Sequence, residues 1–96
     1  MEIKEIISLN TVVEQRQGID PTDLNGEKVM MNLQKGQYFA LNDVGSRIWD
    51  IIQKAITAKD IINTLLDEYE VDAATCEATV LSFLEKLNDA ELISIN

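Results

Sequence analysis

Side chains able to do covalent or acid–base chemistry are scarce in this sequence. It has one cysteine, Cys76, and no histidine. The missing imidazole excludes Ser-His and Cys-His catalysis, and histidine metal sites, within the chain. A thiolate nucleophile needs a base or cation beside it. Cys76 instead stands in a helical apolar stripe and reads as a small buried hydrophobe; being alone, it makes no internal disulfide. Carboxylate pairs such as Asp67-Glu68 or Asp89 and Glu91 are the remaining groups for general acid–base work, but they fall on solvent faces of predicted helices or beyond their ends. There is no GxGxxG, P-loop, CxxC or metal-spaced acidic loop, and Asp20 and Asp23 around Pro21 are too sparse for an EF-hand. Neither an enzyme nor a bound cofactor or metal is expected.

Charge narrows the partners. The formal net charge is −9, which opposes phosphate backbones and anionic membrane surfaces. It is uneven: residues 1–48 carry seven acids and five bases, residues 49–96 ten acids and three bases. This reads as a solubility device or as a preference for cationic partners. No apolar run reaches the roughly 18 residues of a membrane span. The N-terminus carries Glu2 and Glu5 and lacks the basic start and apolar centre of a signal peptide. A cytoplasmic protein is expected, with 46% apolar and 26% charged residues forming one domain over residues 1–96 and residues 1–9 as an arm.

What must position any site is a set of strands followed by helices. Thr11–Gln17 has β-branched residues in rough alternation and is predicted as a strand. Residues 18–26 gather turn formers, including the sole proline, Pro21, and an Asn25-Gly26 pair suited to a tight turn. In Glu27–Leu33, Val29, Met31 and Leu33 share one side and Lys28, Met30 and Asn32 the other, which predicts a strand with one side on the core. Gly36 is free to take positive φ in the connection that follows. Gln37–Leu41 returns, with Phe39 and Leu41 on one face and Tyr38 and Ala40 on the other.

Three helices come next. Asn42 or Asp43 caps the first, with Val44, Ile48, Ile51, Ile52 and Ala55 at helical spacing and Trp49 and Ile56 widening the stripe. Thr57 caps the second, striped by Ile61, Ile62, Leu65, Leu66 and Tyr69. Asp72 caps the third, where Ala73, Cys76, Val80, Phe83, Leu84 and Leu87 fall within about a third of the circumference. Leu92–Ile95 closes the chain as an extended tail or short strand. The expected class is α+β and winged-helix-like: a three-stranded antiparallel sheet followed by a three-helix bundle.

That architecture makes a DNA-binding regulator the first alternative. Glu77, Thr79, Glu85 and Asp89 face outward on the third helix, with Lys86 its only cation, and such a surface repels phosphate. A binding module remains. An exposed strand edge either templates another strand or is simply protected, and the residues alone leave that choice open.

A more specific signal lies in the order of several short pieces. The run GQYFALNDVGSRIWDII, then Thr57-Ala58-Lys59-Asp60-Ile61-Ile62, LLDEYEVD and VLSFLEKLNDAELI, resembles the PqqD family. Leu41-Asn42-x-x-Gly45-x-x-Ile48-Trp49 is its most specific part, and the likeness covers about residues 27–95. Within the family, Tyr38–Asn42 and Trp49 are most similar to the stand-alone leader-binding proteins of lasso-peptide biosynthesis. Two departures stand beside this: a poorly defined first strand and a long loop through Pro21.

The resemblance implies a RiPP recognition element, in which the leader of a ribosomally made precursor adds as a strand to the third strand and rests against the third helix. It implies delivery to a separate maturation enzyme, a leader peptidase in the lasso case. The related reading is a peptide chaperone for a radical SAM enzyme, as in pyrroloquinoline quinone biosynthesis. Carried over by position, the leader-binding candidates are Met31, Gln37, Tyr38, Phe39, Ala40, Thr79, Phe83 and Lys86. Leu41, Ile48 and Trp49 are expected in the core, Asn42 as a cap, and Gly45 as a point of close packing.

Overall fold

Backbone polarity and the apolar periods resolve into six short strands and three helices in a computed structural model that describes residues 7–19, 21–25, 27–32, 34 and 36–96. The strands are β1 (Val12–Gln15), β2 (Thr22–Leu24), β3 (Glu27–Asn32), β4 (Gln37–Leu41), β5 (Ile56–Thr57) and β6 (Ile93–Ile95). The helices are α1 (Asp43–Ile51), α2 (Ala58–Glu68) and α3 (Ala73–Asp89). Residues 1–6 of the expected arm lie outside the described residues, while Ile7, next in line, is buried in the core.

The strands form two separate antiparallel sheets, ordered β5-β1-β6 and β2-β3-β4. The second is the expected three-stranded sheet, but its first strand is β2 rather than Thr11–Gln17. All three residues of β2 are exposed, so burial imposed no alternation that periodicity could detect. Asn25 follows β2 at φ 53°, and Leu24 lies opposite Glu27. This is the tight turn that the Asn-Gly pair predicts.

β1 instead pairs with β5 and β6, placing Val13 opposite both Ile56 and Ile95. Val13 and Ile93 have no exposed surface. Gln15 further ties this sheet to α1: its backbone N–H donates to the Ile52 carbonyl at 3.0 Å, and its side-chain amide donates to the Trp49 carbonyl at 2.6 Å. Residues 93–96 are therefore structural, closing against β1.

Each helix begins where a short polar side chain satisfies an amide of the first turn. The Asn42 carboxamide accepts from Gly45 N–H at 2.7 Å, the Thr57 hydroxyl from Asp60 N–H at 3.2 Å, and the Asp72 carboxylate from Thr75 N–H at 2.7 Å. Their inward faces supply the core: Ile48, Trp49 and Ile52; Ile61 and Leu65; Cys76, Val80, Leu84 and Leu87. Each such side chain contributes roughly 1.5–3 kcal/mol by leaving water. Met30 and Leu41 add the inner face of the β2-β3-β4 sheet. On β3, the side facing the core is thus that of Met30, not that of Met31.

Candidate functional site: the β4 edge and the α3 groove

β4 hydrogen-bonds to β3 along one side, from Lys28 opposite Leu41 to Asn32 opposite Gln37. Among the described residues no strand pairs with its other side. Outward N–H and C=O groups on that side are available to another extended chain. Side-chain parity divides the strand: Phe39 and Leu41 turn inward with their partners Met30 and Lys28, while Tyr38 and Ala40 turn outward with Met31 and Val29.

α3 runs antiparallel alongside this edge. A cavity of about 530 Å³ lies between Gly36–Phe39 on the strand side and Lys86, Asp89 and Ala90 on the helix side. A second, of about 270 Å³, continues from Phe39 and Ala40 over Val44, Gly45 and Ile48 to Thr79, Phe83 and Lys86. Phe39 and Lys86 line both, so the two are sections of one trough. Its helix wall is the stripe Thr79, Phe83, Lys86 and Ala90, spaced by four, three and four residues on one helical face.

Of the eight sequence-predicted site residues, Gln37, Tyr38, Phe39, Ala40, Thr79, Phe83 and Lys86 meet at this trough. Met31 does not. It faces Tyr38 on the outer side of the sheet, 54% exposed, and lines a different hollow with Arg16, Ile19 and Gln34. Sequence reasoning missed Gly36, Val44, Asp89 and Ala90. The α3 stripe extends to Ala90 at the same spacing, whereas nothing in the sequence turns Asp89 toward the strand.

Phe83 was expected in the bundle's apolar stripe, and it is half-buried rather than sealed. Its ring packs on Gly45: a Cβ placed there would lie 3.2 Å from the ring's Cζ. The Gly-x-x-Ile spacing therefore lets α1 start close under α3 and gives the trough an aromatic floor.

A further hollow of about 300 Å³ adjoins the trough through Val44 and Thr79, lined mainly by apolar groups of Leu65, Tyr69, Val71, Cys76 and Val80. The Cys76 thiol is buried and is pushed up from its ordinary pKa, first by burial and then by the nearby Asp72 charge. Its Sγ lies 3.9 Å from the Ile62 carbonyl. A thiol held protonated in an apolar wall is not poised for attack. Among the described residues no cluster of acids and cysteine is placed to hold a metal. No described helix is long and apolar enough to cross a membrane. The arrangement suits holding an extended backbone along β4, with alternate side chains directed into the trough.

Comparison with known proteins identifies the family and the fold. The family model described as coenzyme PQQ synthesis protein D (PqqD) matches residues 27–93. Among curated proteins no match was found. The solved structure of TbiB1 in complex with the TbiA(beta) leader peptide is 32% identical, with a TM-score of 0.72 over 84% of this chain and 94% of that one. Lasso peptide synthetase B1 complexed with the leader peptide shares the fold at 21% identity and TM-score 0.72, over 85% of this chain and 96% of that one. The solution structure of the PqqD truncation of Methylobacterium extorquens PqqCD, a stand-alone RiPP recognition element, does so at 20% identity and TM-score 0.75, over 92% and 94%.

Proposed function

The chain belongs to the PqqD family, and from that premise we propose that it is a non-catalytic binder of the leader region of a ribosomally synthesised precursor peptide. The leader adds as a strand to the free edge of β4, with Gln37, Tyr38, Phe39 and Ala40 along the backbone contact. Alternate side chains enter the trough against Thr79, Phe83 and Lys86. Met31 lies two strand spacings, about 10 Å, from an added strand and acts at the margin through Tyr38.

The observation that carries this reading is a β4 edge that no described strand pairs with, running beside an open groove walled by α3. The 32% identity to a chain solved with a leader peptide supports it. Backbone hydrogen bonds give affinity with little sequence demand, and the trough supplies selection. Without a nucleophile–base pair in the trough, the bound precursor is handed on to a separate maturation enzyme. A leader peptidase of lasso-peptide biosynthesis fits the Tyr38–Trp49 pattern; the alternative is a radical SAM partner, as in pyrroloquinoline quinone biosynthesis, and neighbouring genes separate the two. The reading is of a cytoplasmic adaptor that needs no nucleic acid, membrane or cofactor. A winged-helix DNA-binding role is disfavoured by Glu77, Glu85 and Asp89 on α3.

Fluorescence polarisation with the labelled leader of the precursor encoded beside this gene tests the proposal. Saturable binding is expected; no binding at concentrations on the order of tens of micromolar rejects it.

A further inference from the structure

Building on the strand-addition reading, we propose that the trough selects an acidic residue in its peptide through Lys86, and that this residue lies two positions from an apolar residue seated on Phe83.

Among the described residues, Lys86 is the only cation lining either section of the trough, and it lines both. In a chain of net charge −9 such a placement stands out. Lys86 is exposed and makes no ion pair among the described residues. Arg47 and Lys28, by contrast, pair with Glu68 and Asp50. Asp89, one helical turn on, lines only the section toward Gly36 and not the one floored by Phe83. The acids that give the chain its charge are spread over its surface, and beyond about 8–10 Å they are screened at physiological salt. In the section floored by Phe83, Lys86 is the one charged group among the described lining residues, and it sets the sign there.

Geometry fixes the spacing. Phe83 and Lys86 are three residues apart on one face of α3, about 4.5 Å along its axis. An added strand directs every second side chain inward, about 6.6 Å apart. The long Lys86 stem spans the difference, so successive inward side chains meet the ring of Phe83 and then the ammonium. Lys86 lies toward the Gly36–Gln37 end of β4. In an antiparallel addition, the commoner and slightly more stable mode, the peptide reads apolar, any, acidic from N to C.

Selection from a displayed random-peptide library on the wild-type chain and on Lys86→Glu tests this, alongside thermal melting of both. For the wild type, Asp or Glu is expected two residues C-terminal to an enriched apolar position. Lys or Arg replaces it on the variant, with unchanged melting. In selected peptides, replacing the acid by its amide should cost about fivefold in affinity on the wild type and nothing on Lys86→Gln, as befits a charge pair at a partly exposed site. Peptides that protect the β4 amides but show no acidic preference overturn this inference and leave strand addition standing. Failure to select any peptide that engages β4 overturns both.

Discussion

Gly45 and Phe83 meet where α1 passes beneath α3, and a side chain on the glycine would press the ring aside by a few tenths of an ångström. A Cβ at position 45 would sit 3.2 Å from the Phe83 ring and 3.2 Å from the capping oxygen of Asn42. Gly45 has ordinary helical backbone, so alanine gains up to about 1 kcal/mol of helix propensity and loses it in displacing the ring. Gly45→Ala is therefore expected to unfold near the wild-type midpoint, followed by fluorescence of the buried Trp49. Its peptide affinity falls at least about threefold, because Phe83 moves into the trough. Wild-type affinity in the folded variant would show that the ring does not shape the site.

The second prediction concerns pH. Arg47 on α1 grips Glu68 at the end of α2 through two hydrogen bonds of 2.8 and 2.7 Å. The Arg47 hydrogen bond is the main cause holding the Glu68 carboxyl below its ordinary pKa, and the same contact raises that of Arg47. A depressed carboxylate stabilises the fold above its unfolded pKa and ceases to do so as pH falls through its folded value. Glu68→Gln should thus be less stable than wild type at neutral pH, with the gap closing below the usual carboxylate range. Salt should narrow the gap at neutral pH, since both side chains are partly exposed. Urea titrations across pH measure this; a gap independent of pH would assign the effect to packing.

A proline scan of β4 separates its two edges. Successive backbone N–H groups along a strand alternate in direction, so proline at Tyr38, Phe39 and Ala40 removes donors to β3 and to the free edge in turn. Substitutions at β3-facing donors are expected to destabilise the β3–β4 hairpin. Those at free-edge donors leave circular dichroism unchanged and weaken peptide binding about fivefold or more, the worth of about one backbone hydrogen bond. Equal loss of fold and binding at all three positions would contradict a free, docking edge.

Much of this architecture was legible because burial wrote periods into the sequence. The caps Asn42, Thr57 and Asp72, the stripes of α2 and α3 apart from the exposed Tyr69 and Ala73, and the shared face of Phe39 and Leu41 all follow from side-chain type and spacing. The trough's helix wall was reachable too, since Thr79, Phe83 and Lys86 share a face. What stayed hidden depended on pairing between distant segments. Val12–Gln15 reads as a strand, but only Ile56 and Ile93–Ile95, far away in sequence, decide which sheet it joins. Thr22–Leu24 carries no buried side and so no alternation. Met31 alternates correctly with Met30, yet alternation cannot say which of the two faces the core.

That last ambiguity yields a contrast. Met31 and Tyr38 are opposite each other on the outer face of the sheet, both well exposed, whereas Phe83 floors the trough. Phe83→Ala should abolish most peptide affinity, and Met31→Ala should change it less than about twofold, the scale of one exposed cross-strand contact. Titration calorimetry reads both; the reverse ranking would move the binding surface to the outer face.

The account stands or falls on the backbone of Gln37–Leu41. Amide hydrogen exchange, measured residue by residue with and without the leader of the neighbouring precursor, reports that edge directly. The predicted result is new protection at alternate β4 amides, those facing away from β3, with little change in β2. Saturating leader with no change along β4, or with protection confined to the β1–β5–β6 sheet, would contradict strand addition.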